Sequence, residues 1–281
     1  MGVTVAKSAG FCFGVSRAVE LVETAAMQGK RTLTLGPIIH NRHVVEHFQK
    51  MGVHVIEQPE EAGPEDTVII RSHGVSRSVY QRLEQTEAEI IDATCPFVKR
   101  IHKLVSQAEM EGKFPVIIGT PTHPEVEGIA GWCGQCKVFA DAESLEKWTA
   151  DESVSRDLPV CMVSQTTSTE FLWKKCVRIA KKQFTYLQTF DTICRATECR
   201  QREASELSQR CGAMVVVGDL KSSNTGRLAM ICREHCSKVF LVDNASELDP
   251  WDFCGVSDVG ITAGASTPAW IIKEVNKTMS E

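Results

Sequence analysis

The sequence repeats one plan three times, and no other feature constrains its fold as strongly. Each copy begins at a cysteine, namely Cys12, Cys95 or Cys194. A glycine follows each cysteine after 24 residues, and a histidine or serine follows after 28 residues. These pairs are Gly36 with His40, Gly119 with His123, and Gly218 with Ser222. Three similar units in succession are therefore expected.

Helix and strand patterns alternate within each copy. A stretch with apolar residues at helical spacing follows each cysteine and ends near a glycine, as helices often do. A short apolar run comes next (TLTLG, PVIIG or MVVVG), and such continuous runs are typical of strands buried on both faces in parallel sheets. The polar motif then lies just past the strand, where open α/β sheets bind ligands.

A second polar motif follows a further strand in each copy and contains His73, Thr166 or Ser266. In the first two copies a closing strand then leads to the next cysteine, but the third copy lacks one. The N-terminal segment MGVTVAKSAGFC can supply it. We therefore predict an α/β fold of three similar domains with mostly parallel sheets around a pseudo-threefold axis. The domains comprise residues 13–95, residues 96–194, and residues 195–281 completed by residues 1–12.

Composition excludes several classes of protein. Of 281 residues, 43% are hydrophobic and 24% are charged, which is the balance of a globular chain. No apolar run approaches the roughly 18–20 residues that cross a bilayer, and the N-terminus lacks the plan of a signal peptide. The net charge of −5 argues against nucleic acid as a partner. We expect a cytoplasmic protein that binds neither nucleic acid nor membrane.

Cysteine is unusually frequent for such a chain, with twelve in all. Without an export signal, a disulfide framework is disfavoured, and metal, cluster or catalytic thiols become the alternatives. Three repeated cysteines imply one shared site, and three thiolates at one point suit a metal ion or an iron–sulfur cluster.

Nine ordered motifs resemble the LytB family, the 4-hydroxy-3-methylbut-2-enyl diphosphate reductases, across nearly the whole chain. These motifs are GFCFGV, GPIIHN, RSHGV, DATCP, THPEVEG, SQTT, DTIC, KSSNT and AGASTP. The resemblance implies a trefoil of three α/β domains around an iron–sulfur cluster. It also implies reductive removal of an allylic hydroxyl, which yields isopentenyl and dimethylallyl diphosphate in the last step of the methylerythritol phosphate route to isoprenoids.

The resemblance further implies a set of site residues. The ligands of a [4Fe-4S] cluster with one open iron would be Cys12, Cys95 and Cys194. Glu125 would deliver protons, with His123 and with Thr166 or Thr167 beside it. The diphosphate would contact histidine, hydroxyl and amide side chains, namely His40, His73, His123, Thr166, Thr167, Ser222, Ser223, Asn224 and Ser266.

The chemistry of these residues agrees with the resemblance. A diphosphate needs several hydrogen-bond donors, which His, Ser, Thr and Asn side chains provide. Loss of a hydroxyl as water needs a Lewis acid and a proton, and an open iron and Glu125 fit these roles. Alternatively, Glu125 is an acidic residue at a helix N-terminus after Pro124, a role that is compatible with catalysis.

Two other classes of function remain as alternatives. One is an iron–sulfur dehydratase resembling quinolinate synthase, and the other is a non-catalytic electron-transfer or metal-binding protein. The segment WCGQC resembles a thioredoxin-type motif but follows a helical pattern and precedes a strand pattern, the reverse of the usual order. A basic run on one predicted helix is either a solvated face or a docking patch for an acidic electron donor such as a ferredoxin or flavodoxin. Its residues are Lys174, Lys175, Arg178, Lys181 and Lys182.

Overall fold

The computed structural model describes residues 1–280 and alternates strands with helices along the chain. The strands are β1 (Gly2–Val5), β2 (Arg31–Leu35), β3 (His54–Ile56), β4 (Asp66–Ile70), β5 (Glu89–Asp92), β6 (Phe114–Ile118), β7 (Lys137–Phe139), β8 (Val160–Ser164), β9 (Leu187–Thr189), β10 (Ala213–Val217), β11 (Val239–Val242) and β12 (Asp258–Ala263). The α-helices are α1 (Phe13–Ala26), α2 (Arg42–Lys50), α3 (Arg77–Glu84), α4 (Pro96–Met110), α5 (Pro124–Ala130), α6 (Ala142–Thr149), α7 (Glu170–Gln183), α8 (Arg195–Ser208), α9 (Ser223–Arg233) and α10 (Ala269–Ser280).

The strands form three sheets of four strands, and every pairing in them is parallel. Their orders are β3-β2-β4-β5, β7-β6-β8-β9 and β11-β10-β12-β1. The three orders match position by position. Thus β3 corresponds to β7 and β11, β2 to β6 and β10, β4 to β8 and β12, and β5 to β9 and β1. The α/β class and the parallel sheets predicted from the repeat are therefore confirmed.

The N-terminal strand takes the place that the third copy lacks. β1 pairs in parallel with β12, in the register Gly2 with Asp258 through Val5 with Ile261. It corresponds to β5 and β9 in the other sheets, and each of these three strands leads directly to one of the repeated cysteines. The domain boundaries given above stay a prediction.

Burial explains why the apolar runs form the inner strands. β4, β8 and β10 are buried at every position, whereas the outer strands β1, β5 and β9 are partly exposed. Helices on both faces exclude water from the inner strands, as parallel sheets require. In the third sheet, for example, one apolar cluster lies under α10 and another lies under α8 and α9.

The chain divides into two compact units. Unit I contains residues 1–19, residues 39–51 and the chain from residue 195 onward, and it holds the sheet β11-β10-β12-β1. Unit II contains residues 20–38 and 52–194, and it holds the other two sheets. Helix α2 follows β2 in sequence but belongs to unit I, where Arg42 and His43 pair with Asp243 at 2.5 Å and 3.2 Å.

Within residues 1–280, no helix has both the length and the apolar character needed to span a membrane.

The pairing of β1 can be tested with proline at Thr4. Gly2 N–H and Ala6 N–H donate to Ser257 O and Ile261 O, so the alternation along a strand directs Thr4 N–H into the sheet as well. We expect Thr4→Pro to lower the free energy of unfolding by about 1–3 kcal/mol, because it removes this donor and leaves a buried acceptor unpaired. Thr4→Ala, which keeps the N–H, is the control. Equal urea midpoints for the two variants would contradict the pairing.

Candidate active site

The three repeated cysteines occupy the same structural position in the three sheets. Each lies directly before a helix, so that Cys12 precedes α1, Cys95 precedes α4 and Cys194 precedes α8. Each is partly exposed, unlike the buried thiols of Cys161 and Cys176. Unpaired N–H groups at a helix N-terminus favour negative charge, which a thiolate ligand carries. The positions therefore suit metal or cluster ligands.

A hydrogen bond of the same kind ties each cysteine to the loop after the neighbouring inner strand. Cys12 N–H donates to Ala265 O at 3.2 Å, Cys95 N–H to Ser72 O at 3.0 Å, and Cys194 N–H to Thr166 O at 3.0 Å. The second polar motif of each copy is thus attached to the cysteine of the same sheet.

This hydrogen bond refines the alignment of the second motif. The residues that follow the three acceptors are Ser266, His73 and Thr167. Thr167, rather than Thr166, is therefore the counterpart of His73 and Ser266. The repeat in the sequence predicts Thr166 as the counterpart of His73 and Ser266, which is one residue too early. The copies differ in length, so spacing alone does not fix the register.

The glycine that lies 24 residues after each repeated cysteine makes the same hydrogen bond in all three copies. Gly36, Gly119 and Gly218 each donate their N–H to the last residue of the outer strand beside them, at 2.8–2.9 Å. Gly218 has φ +144, and a Cβ there would lie 2.6 Å from Thr267 Oγ1. Glycine therefore lets the chain turn sharply at the end of β10.

In unit II, His73 and His123 lie edge to face with their ring centroids 5.5 Å apart. His123 is the N-cap of α5, where its Nδ1 accepts the Glu125 N–H at 3.1 Å. A neutral imidazole that accepts through Nδ1 carries its proton on Nε2. His123 thus offers one fixed donor, as an anionic ligand requires.

Glu125 follows two residues later and is 3% exposed. Thr166 donates twice to its carboxylate, from N–H to Oε1 at 2.6 Å and from Oγ to Oε2 at 2.7 Å. Burial raises the pKa of Glu125, and the two hydrogen bonds from Thr166 oppose this rise without cancelling it. The carboxyl group therefore keeps its proton to a higher pH than an exposed glutamate.

Thr166 and Thr167 have different places. Thr166 is buried against Glu125, whereas Thr167 is partly exposed at the position equivalent to His73. Gln165, which the sequence reasoning missed, is fully buried, and its Nε2 has no hydrogen-bond partner. Its Oε1 accepts Thr120 N–H at 3.1 Å. The motif SQTT contains Gln165, but burial of its amide is visible only in the fold.

In unit I, the motif KSSNT forms the start of α9. Ser222 is the N-cap and accepts Thr225 N–H at 3.4 Å, and Ser223 is the first helical residue. Asn224 is 4% exposed, and neither its Oδ1 nor its Nδ2 has a hydrogen-bond partner. A buried amide without partners is costly unless a ligand satisfies it. A helix N-terminus with such an amide is suited to a phosphate.

His40 and Ser266 meet in the same unit. Ser266 Oγ donates to His40 O at 2.9 Å, which connects the first motif of one copy with the second motif of another. Asn41, the next residue, caps α2 by accepting Val44 N–H at 3.2 Å. Asn41 lies in GPIIHN but is not among the site residues predicted from the sequence.

The segment WCGQC lies between α5 and β7, so a helix precedes it and a strand follows, as the pattern predicted. Cys133 and Cys136 share a hydrogen bond, which raises the pKa of Cys133 and lowers that of Cys136. Cys133 Sγ also donates to Ala130 O at 3.4 Å. The order of elements is the opposite of a thioredoxin-type motif, and no redox role is assigned.

Comparison with known proteins gives consistent results. The family model described as "LytB protein" matches residues 3–280. The 4-hydroxy-3-methylbut-2-enyl diphosphate reductase of Caldanaerobacter subterraneus subsp. tengcongensis is 41% identical over 98% of this chain and 95% of its own length. The alternatives of a quinolinate-synthase-like dehydratase and of a non-catalytic module gain no comparable support.

Two solved structures are also similar to this chain. One is (E)-4-hydroxy-3-methyl-but-2-enyl diphosphate reductase, the terminal enzyme of the non-mevalonate pathway, with 38% identity, a TM-score of 0.71 and coverage of 100% of this chain and 99% of that chain. The other is the E-1-hydroxy-2-methyl-but-2-enyl-4-diphosphate reductase from Plasmodium falciparum, with 26% identity, a TM-score of 0.91 and coverage of 99% and 87%. With a family match over nearly every residue, this chain belongs to the LytB family, whose members are iron–sulfur oxidoreductases.

Proposed function

We propose that this chain reduces 4-hydroxy-3-methylbut-2-enyl diphosphate to isopentenyl and dimethylallyl diphosphate, the terminal step of its pathway. The reaction breaks the allylic C–O bond, forms a C–H bond and releases water, and it consumes two electrons and two protons. The observation that carries the proposal, beside family membership, is the buried carboxyl of Glu125 next to a histidine with a fixed donor. That pair matches a substrate that is an anion and needs a proton.

The cofactor is a [4Fe-4S] cluster held by Cys12, Cys95 and Cys194, with one iron open. The donor set fits, because all three are partly exposed thiols directly before a helix. Thiolates are the usual ligands of such clusters. When bound, the cluster supplies electrons and a Lewis-acidic iron.

The diphosphate is held by donors at the ends of the inner strands. In unit II these are the ring N–H groups of His73 and His123 and the hydroxyl of Thr167. In unit I they are His40, Ser223 and the unpartnered amide of Asn224, with Ser266 beside them holding His40 O through its hydroxyl. Ser222 accepts Thr225 N–H as the cap of α9, which leaves its O–H to donate to the diphosphate beside the N–H groups of that helix. Anions at helix N-termini are stabilised in this way.

Glu125 delivers the proton that turns the leaving hydroxyl into water. Because burial raises its pKa, the group holds a proton where an exposed glutamate has lost it. Thr166 contacts both carboxyl oxygens, so it fixes the direction in which the proton is presented and stabilises the carboxylate left behind.

Loss of a cysteine ligand tests the cofactor. We expect Cys12→Ser, Cys95→Ser and Cys194→Ser each to lose most of the iron and of the visible cluster absorption after anaerobic purification, because a serine hydroxyl is a poor substitute for a thiolate. Cys199→Ser is the control, since Cys199 is also partly exposed and lies on α8, five residues after Cys194. Iron retained in any of the three variants at the parent level would contradict the ligand assignment.

Substitution of Glu125 tests the reaction. Glu125→Gln keeps the size of the side chain but has no proton to donate, so we expect turnover of the allylic diphosphate to fall by about 10²- to 10⁴-fold. The iron content should be unchanged. Glu127→Gln is the matched control, because Glu127 lies on the same helix and is exposed. A cluster-loaded parent protein that leaves the allylic diphosphate unchanged would refute the proposed function.

Glu125→Gln also gives an independent test through the pH dependence of its melting temperature. A raised pKa in the folded state stabilises the fold below the pKa of the unfolded chain, and that contribution is lost as the pH rises through the folded pKa. Glu125→Gln has no such loss. Its melting temperature relative to the parent should therefore increase from about pH 4.5 upward, the region where an exposed glutamate ionises. A difference that does not change with pH would mean that Glu125 titrates normally.

The electrons come from an acidic protein such as a ferredoxin or flavodoxin that docks on the basic face of α7. That face borders a hollow of about 620 Å³, which is lined by Lys174, Arg178, Lys181 and Lys182 and also by Asp191. Asp191 lies three residues before Cys194, so the hollow is next to the segment that carries a proposed cluster ligand. Lys174 is paired with Glu170, which leaves most of the charge toward the end of the helix.

Charge reversal tests this docking face. We expect Lys181→Glu with Lys182→Glu to slow reduction by a ferredoxin at low salt by at least about tenfold, because complementary charge sets the association rate. Reduction by a small chemical reductant should not change. Lys147→Glu, an exposed lysine on α6, is the control. Equal slowing with both reductants would place the effect on the cluster and not on docking.

We also propose the cytoplasm as the compartment. Buried thiols such as Cys161, Cys176 and Cys232 are free, and an oxygen-sensitive cluster needs a reducing environment.

A further inference from the structure

A second concave surface lies in unit II and contains none of the proposed catalytic or diphosphate-binding residues. It is a groove of about 540 Å³ between α3, one face of α4 and Trp132. Its volume is within the range of small-molecule sites, roughly 300–1,000 Å³. The reaction proposed above gives this groove no role.

The groove carries an excess of positive charge. Arg77, Lys99 and Lys103 line it, and Asp92 is the acidic residue among its lining side chains. Asp92 is paired with Lys99 at 2.6 Å, so the charges of Arg77 and Lys103 are left for a ligand. An anion is therefore the ligand that this surface favours.

The rest of the groove is apolar and aromatic. Tyr80, Trp132 and Met110 contribute to it, and Met110 is 81% exposed. The Arg77 guanidinium lies over the Trp132 ring at 5.3 Å, so a cation is held at the edge of the apolar part. Apolar surface with a cationic edge fits a ligand that has an apolar body and an anionic head.

His102 forms part of the buried wall of the groove. It lines the groove, is 5% exposed, and its Nε2 has no hydrogen-bond partner. Burial lowers the pKa of His102 to about 4, so the ring is neutral at physiological pH. It stacks on Trp132 with centroids 5.2 Å apart. The positive charge of the groove therefore comes from Arg77 and Lys103.

We propose that this groove is a binding site for a prenyl diphosphate longer than five carbons. The identity of the ligand rests on the proposed function, because five-carbon allylic diphosphates are consumed by condensation into longer chains with the same head group. Such a product has the anionic head and the apolar body that the groove matches. The apolar side of the groove, with Tyr80, Met110 and Trp132, offers contacts to such a body.

The groove is connected to the proposed active site by one hydrogen bond and by one pair of residues that are neighbours in the chain. Trp132 Nε1 donates to Val75 O at 2.9 Å, and Val75 lies two residues after His73. Thr94, which also lines the groove, precedes Cys95. A ligand that moves Trp132 or Thr94 therefore disturbs a diphosphate donor or a cluster ligand, and end-product inhibition follows.

The test is a titration of the cluster-loaded full chain with farnesyl diphosphate by calorimetry. Two sites are expected in the parent, one at the diphosphate loops and one in the groove. Lys103→Glu should weaken the groove site by at least about tenfold, because it replaces an attractive charge by a repulsive one. Arg100→Glu is the matched control, since Arg100 is exposed on the same helix and does not line the groove. Asn224→Ala should remove the other site.

A kinetic measurement separates this proposal from the proposed function. Farnesyl diphosphate should lower the kcat of the parent and of Arg100→Glu, whereas with Lys103→Glu it should only raise the KM. Uninhibited turnover by Lys103→Glu should equal that of the parent within about twofold, the range of a surface substitution. The proposed groove site is wrong if the parent binds farnesyl diphosphate at one site, or if Lys103→Glu leaves the affinity of the second site unchanged. Absence of turnover with the groove site intact would instead refute the reaction.

Discussion

The hydrogen bond from each repeated cysteine to the loop beside it is the constraint on which the site depends. It joins the end of an outer strand to the end of an inner strand in all three sheets, at 3.0–3.2 Å. Parallel pairing brings the carboxyl ends of strands to one edge, and the hydrogen bond then fixes one motif against the other. A cysteine and a polar side chain are therefore placed together three times by a bond between backbone atoms.

The energetic cost of the site is concentrated in a few buried polar groups. Glu125 is buried, which raises its pKa, and Asn224 and Gln165 have amide atoms without partners. The unpartnered atoms of Asn224 and Gln165 destabilise the fold because no hydrogen bond repays their desolvation, whereas two hydrogen bonds from Thr166 partly compensate the burial of Glu125. These residues all lie at strand ends or first helical turns, beside strands that are buried at every position. The regular cores of the two units thus support a site that is unfavourable until a ligand fills it.

Much of this arrangement is predictable from the sequence, and what is not has a physical reason. Equal offsets after each cysteine predict the strand that ends at Gly36, Gly119 or Gly218, because these lengths are the same in every copy. The second motif is displaced by one residue, since the intervening loops differ in length and only the hydrogen bond identifies Thr167. Placement of α2 in unit I, burial of Gln165 and the groove beside Trp132 arise from contacts between segments distant in sequence, which no local pattern encodes.

The three copies show how one geometry takes on different chemistry. The second helix of each copy starts 29 or 30 residues after the repeated cysteine, and its N-cap is Asn41, His123 or Ser222. Asparagine and serine cap through an oxygen and keep amide or hydroxyl hydrogens as donors, such as the unpartnered Nδ2 of Asn41, but neither group exchanges a proton near neutral pH. Histidine caps through Nδ1 and keeps Nε2–H as a second functional group, and Glu125 supplies the N–H that it accepts. Acid–base chemistry is therefore concentrated in the copy whose cap is an imidazole, while the other copies contribute hydrogen bonds from their caps and from the residues next to them.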